Sequence, residues 1–164
     1  MMNNNRYSVS PDGEQFALPE REDYKKEFNR IQSIAEKKRS EGKEIVVVLG
    51  LGFVGAVMAG VIADSTDEKN GHSKFVIGVQ RPSRRSYWKI HMLNRGISPI
   101  KSDDPEVEKL FKRSVIQNET LIATFTFDVL SLADVVVVDV QCDYHKNALD
   151  NVCDGTVDMI ALED

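Results

Sequence analysis

The sequence has little with which to staple itself together. It holds two cysteines, Cys142 and Cys153, and three histidines, His72, His91 and His145, none at a metal-ligand spacing. Disulfides and structural zinc are therefore not the basis of the fold, and 164 residues suffice for one ordinary core without them. The thiols read as reduced cysteines of a cytoplasmic protein. No apolar run has the length that crosses a bilayer, and the opening MMNNNRYSVSPDGEQF lacks the apolar core and cleavage site of a secretory signal, so neither a membrane nor export is expected. Positive charge is also short. With 21 Lys and Arg against 26 Asp and Glu, the formal net charge is −5, which argues against nucleic-acid partners, because these are held by neutralising phosphates.

What is present is the composition of a globular protein, 41% hydrophobic and 29% charged. The first residues, rich in Asn, Ser, Pro and Gly, suggest a flexible or loosely docked arm. From Glu20 to Ser40, Tyr24, Phe28, Ile31, Ile34 and Ala35 recur at helical spacing among charges, which predicts an amphipathic helix ended by Gly42. The stretch 1–42 is thus read as arm and helix, and 43–164 as the main domain.

In that domain Glu44 to Leu49 is a continuous β-branched run, the pattern of a strand buried on both faces. Phe53 to Ala63 reads as a small-residue helix and Lys74 to Val79 as a second buried strand. Helices are expected over Ser83 to Asn94 and Pro105 to Gln117, the latter with Asp104 as N-cap and Pro105 at its first position. Leu121 to Thr126 reads as a third strand, Phe127 to Leu132 as a short helix, and Val135 to Val140 as a fourth strand. Strands alternating with helices predict an α/β fold built on a doubly wound parallel sheet.

Between the first of these strands and its helix lies Gly50-Leu51-Gly52-Phe53-Val54-Gly55. Glycines at these spacings do three jobs: the first permits a sharp turn, the second lets backbone approach a pyrophosphate, and the third lets helix and strand sit close. The helix start at Phe53 and Val54 then points amides and a positive dipole end at an anion. The strand-loop-helix-strand context makes this a Rossmann-type dinucleotide site.

At the end of the second strand a carboxylate would be expected to take the adenosine ribose and favour NAD. Gln80 stands there instead, followed by Arg81, Arg84 and Arg85. An amide still bonds a ribose hydroxyl but does not repel a 2′-phosphate, so NAD is the expected cofactor and NADP an alternative.

The runs VVVLGLGFVGAVMA, FVIGV, LNRGISPI and TLIATFTFDVLSLADVVVVDV, in this order, resemble the N-terminal half of the UDP-glucose/GDP-mannose dehydrogenase family of nucleotide-sugar 6-dehydrogenases. The likeness spans Glu44 to Asp143. It implies oxidation of the 6-hydroxymethyl group of a UDP- or GDP-sugar to the carboxylate with two NAD molecules in succession. It carries the pyrophosphate loop onto Gly50, Gly52 and Gly55 with the amides of Phe53 and Val54, and the ribose position onto Gln80. It carries the strand-end segment over the nicotinamide onto Val140, Gln141 and Cys142, although Cys142 and Asp143 replace the family's Thr-Pro. The family's catalytic cysteine lies in a later domain and is not Cys142. The chain is accordingly expected to be a fragment that binds cofactor and turns nothing over, the full-length enzyme being a cytoplasmic homo-oligomer. A hydroxy-acid dehydrogenase sharing the same half, and a stand-alone nucleotide-binding or interaction module, remain alternatives.

Overall fold

A computed structural model describes residues 6–68, 71–140, 144–146 and 155–157. Where composition suggests a loose arm, the chain opens with a hairpin. Strand β1 (Tyr7–Val9) pairs antiparallel with β2 (Gln15–Ala17), Ser8 lying opposite Phe16. Three-residue strands are too short to leave a periodic signal, and their docking partner lies 80 residues away at Trp88, so composition alone misses them.

Helix α1 (Arg21–Ser40) starts one residue after the expected Glu20, which is its N-cap, its N–H donating to the Asp23 carboxylate at 2.9 Å. The core elements follow: β3 (Glu44–Leu49), α2 (Phe53–Asp64), β4 (Lys74–Val79), α3 (Tyr87–Asn94) and α4 (Pro105–Lys112). Then come a π-helical turn at Arg113–Gln117, β5 (Leu121–Thr124), a 3-10 helix at Phe127–Leu132 and β6 (Val135–Val138). A last hairpin pairs β7 (Tyr144–Lys146) with β8 (Gly155–Val157).

Strands β3 to β6 form one parallel sheet in the order β5-β4-β3-β6, with Val46 level with Val76 and Val135, and Val76 level with Leu121. Alternation within β3 divides the core in two. Val46 and Val48 face α2, α3 and α4 together with Val76, Leu93 and Phe111. Ile45 and Val47 face α1 and the 3-10 helix, where Ile31 and Ala35 complete a cluster with Ile77 and Val129. This is the doubly wound α/β architecture that the strand and helix alternation predicts.

At the entry to β6, Asp134 accepts from the Ile45 N–H at 2.8 Å and from Arg39 at 2.7 Å. The Ile45 amide first, and then Arg39, hold its carboxyl below the ordinary range. Outward of β6 no strand pairs among the described residues, and Val135, Val136 and Val138 are 42%, 45% and 48% exposed.

The start of α1 and the end of α2 each shift by one residue, and the helix expected over Pro105 to Gln117 turns π-helical after Lys112. Three other boundaries move further. The helix expected from Ser83 begins at Tyr87, because the Ser83 and Ser86 hydroxyls bond each other at 2.7 Å and Ser86 Oγ donates to the Arg81 carbonyl, which favours a turn. The third strand stops at Thr124, since Thr126 is N-cap of the 3-10 helix. The fourth stops at Val138 instead of Val140.

Candidate functional site

The chain leaves β3, steps outward to β4 and β5, and returns to β6 on the opposite side of β3. The carboxyl ends of β3 and β6 therefore flank the point where the winding reverses, which is where open α/β sheets bind ligands. Gly50 to Gly55 occupy that point.

The three glycines are needed for different reasons. Gly50 has φ +91°, and a Cβ there would overlap the Asp139 carbonyl beyond β6. At Gly55 a Cβ would run into the Gly50 carbonyl and the Asp139 side chain. Gly52 is unlike both: the nearest atom to a Cβ there is Asp139 Oδ2 at 4.0 Å. The fold's own packing thus demands two of the glycines and leaves the third facing open space.

Gly52 is also the N-cap of α2, with no side chain capping the helix. The first-turn amides have no partner inside the helix and carry the positive end of its dipole. Phe53 and Val54, 68% and 55% exposed, stand at the mouth of this turn. Leu51 is the reverse, fully buried and seated against Gly78, where any Cβ would strike its methyls at 2.7 Å.

Gln80, one residue past β4, reaches this loop directly. Its Oε1 accepts from the Leu51 N–H at 3.0 Å and its Nε2 donates to Ser86 Oγ at 3.4 Å. The residue placed by sequence at the ribose is therefore also a brace between the glycine loop and the loop 81–86. Arg81, Arg84 and Arg85 are exposed on that second loop. Val140 lies half-buried just beyond β6, whereas Gln141 and Cys142 fall outside the described residues.

Two residues that the sequence reading did not single out join the site. Lys89, on α3, donates from Nζ to the Leu51 carbonyl at 3.3 Å, and burial pushes its pKa below the ordinary lysine value. Its signal was a lone lysine among the aromatic and aliphatic residues of YWKIHML, with His91 beside it. Asp139 follows β6, its N–H bonded to the Leu49 carbonyl at 2.8 Å, and its carboxylate turns toward Gly52 and Gly55. It was hidden in VVVVDV, which reads as unbroken strand.

Arranged this way, the loop can hold an anion on main-chain amides, with one cation and one carboxylate beside it. No described side chain in it is placed as a nucleophile or a general base.

No known family model and no curated protein matches the chain. Solved structures do match. One is the NDP-N-acetyl-D-galactosaminuronic acid dehydrogenase from Methanosarcina mazei Go1, with a TM-score of 0.60 and 32% identity, covering 79% of this chain and 26% of that one. Another is a UDP-glucose dehydrogenase from the hyperthermophilic archaeon Pyrobaculum islandicum, with a TM-score of 0.53 and 20% identity, covering 74% of this chain and 23% of that one. At that lower identity the likeness is one of fold alone. The chain spans about a quarter of the length of each. Its parallel sheet flanked by helices is that of Rossmann-like dehydrogenases.

Proposed function

We propose that this chain is the dinucleotide-binding part of a nucleotide-sugar 6-dehydrogenase of the UDP-glucose/GDP-mannose dehydrogenase family, an enzyme that takes a UDP- or GDP-sugar to its uronate with NAD. The observation that carries this reading is Gly52. It is the one glycine of the loop whose missing side chain serves no contact within the protein, and it lies at the uncapped start of α2. Space for backbone approach, unpaired amides and a helix dipole are the donor set a pyrophosphate requires. The likeness at 32% identity to an NDP-N-acetyl-D-galactosaminuronic acid dehydrogenase supports the substrate class.

Bound NAD supplies the hydride acceptor. This chain's own contribution is to bind and orient. The amides of Phe53, Val54 and Gly55 take the diphosphate, and Gly50 fixes the turn that aims them. Gln80 sits where the ribose is expected, with Nε2 as its donor and Oε1 held by Leu51. Because Gln80 brings no negative charge, NADP is the alternative cofactor, with Arg81 at hand. Val140, Gln141 and Cys142 are assigned to the nicotinamide side. On this reading the sugar nucleotide, the catalytic cysteine and the subunit contacts of a cytoplasmic homo-oligomer belong to other parts of the enzyme.

Calorimetric titration with NAD and with NADP tests the reading. The wild-type chain should bind NAD, and Gly52→Ala should keep the fold, since its Cβ meets no protein atom nearer than 4.0 Å, while losing the dinucleotide. A folded wild type that binds neither dinucleotide, or a Gly52→Ala chain that binds as well as wild type, refutes it.

A further inference from the structure

The N-terminal hairpin lies outside Glu44 to Asp143, the stretch whose sequence runs resemble the dehydrogenases, yet it grips the loop that follows β4. The Ser8 side chain is wholly buried, its Oγ donating to the Arg84 carbonyl at 3.0 Å and accepting from the Trp88 N–H at 3.1 Å. A hydroxyl has one proton and two lone pairs, so it makes both bonds at once. One contact is in the loop 81–86 and the other is in the first turn of α3, so this one atom ties the loop to the start of the helix.

We propose that Ser8 is a positioning residue for the adenosine end of the dinucleotide site: through it the N-terminal hairpin fixes the loop 81–86, and that loop fixes Gln80. This rests on the dinucleotide reading above. The path is continuous. Ser86 Oγ donates to the Arg81 carbonyl at 3.0 Å and accepts from Gln80 Nε2 at 3.4 Å, and Gln80 Oε1 takes the Leu51 N–H of the glycine loop. The loop has no strand pairing. Its own turn is closed by the Ser86 and Tyr87 N–H groups on the Ser83 carbonyl at 3.2 and 3.0 Å, and these side-chain bonds and the hairpin join that turn to Gln80 and to α3.

The hairpin is itself well seated. Phe16 stacks on His91 of α3 with centroids 4.3 Å apart and planes 10° from parallel, and Arg95 lies 5.5 Å above the same ring. Arg95 also holds Glu14 through two bonds of 2.7 and 2.8 Å. That pair is half-exposed and contributes little by itself. The buried ring and the buried hydroxyl therefore carry the docking.

A ligand that needs Gln80 in place binds with an affinity scaled by the fraction of molecules in which the loop is already formed. Ser8→Ala strips the Trp88 N–H and the Arg84 carbonyl of their partner, which is expected to raise the ratio of open to formed loop about tenfold and so to lower that fraction. Two measurements on the full chain decide the matter. Hydrogen exchange without ligand should speed up about tenfold at Arg84 to Trp88 and stay unchanged in β3 to β6. Calorimetric titration should show the Kd for NAD rising severalfold, by less than the change in exchange, because affinity follows the formed fraction. Exchange at wild-type rates in Ser8→Ala, or faster exchange with an unchanged Kd, overturns the proposal. Should Ser8→Ala fail to fold, Phe16→Leu removes the stack on His91 and leaves the hydroxyl. It is expected to loosen the same amides and weaken NAD, and wild-type behaviour of both overturns the proposal equally. A wild-type chain that binds no dinucleotide defeats the functional reading, whereas the exchange data report the coupling of hairpin to loop by themselves.

Discussion

Replacing Asp139 by asparagine should tighten the binding of NAD, an unusual direction for a substitution inside a binding site. The carboxylate is half-buried and takes no hydrogen bond or ion pair from the described residues, and its Oδ2 lies 4.0 Å from where a Cβ on Gly52 would be. A phosphate oxygen seated over Gly52 would then be about 5 Å from it, where two unit charges repel by about 1 kcal/mol in bulk water and about 3 kcal/mol at an effective dielectric constant of 20. Because the group is partly open to solvent, the lower figure is the appropriate one. It corresponds to a roughly fivefold lower Kd for Asp139→Asn. The amide keeps the shape of the side chain, so packing against Gly55 is preserved. Calorimetry in dilute buffer and again near 1 M salt separates charge from shape, since the screening length falls from ~10 Å at 0.1 M to ~3 Å at 1 M. The gain should shrink at high salt. Equal or weaker binding by the asparagine variant in dilute buffer, or a gain indifferent to salt, would refute the reasoning.

Other outcomes follow from the same geometry. Gly55→Ala must displace the Gly50 carbonyl or the Asp139 side chain, so a loss of about 2 kcal/mol or more in a urea unfolding series is expected, in contrast to the stable Gly52→Ala. Lys89→Met keeps the aliphatic stem but drops the bond to the Leu51 carbonyl, and should weaken NAD severalfold with little change in unfolding midpoint. Burial under Phe16 and beside Tyr87, reinforced by Arg95 and opposed by Glu14 and Glu27, pushes His91 below its ordinary 6.5. The unfolded chain therefore takes that proton first, so stability is level above about pH 6.5 and declines as pH falls from there toward the depressed folded value. Urea midpoints at pH 7.5 and 5.5 should show a drop that His91→Phe reduces.

The parts of this fold that announce themselves in sequence are those whose periodicity is local. β3 and β4 match their apolar runs residue for residue, α2 starts at the expected Phe53, and α1 starts within one residue of its periodic stretch. The glycine loop is legible because its spacing and its place between strand and helix are local, although the contact that forbids a side chain at Gly50 comes from Asp139 beyond β6. What could not be read were contacts made at long range. Ser8 matters through Arg84 and Trp88, and Asp139 through Gly52 and Gly55 in another part of the chain. Gln80 was visible as a departure from an expected acid, but its bond to Leu51 required the loop and the end of β4 to be seen side by side. The start of α3 was misplaced because serine hydroxyls, and not hydrophobic spacing, decide the conformation of 83–86.

The bare flank of β6 has a practical consequence. Among the described residues nothing pairs with its outer main-chain donors and acceptors, and these, set beside the solvent-facing Val135, Val136 and Val138, form a template on which a stray β-segment can grow. Concentrated solutions of this chain are therefore prone to precipitate through that border, and Val136→Lys, on a residue 45% exposed, would act as a gatekeeper there.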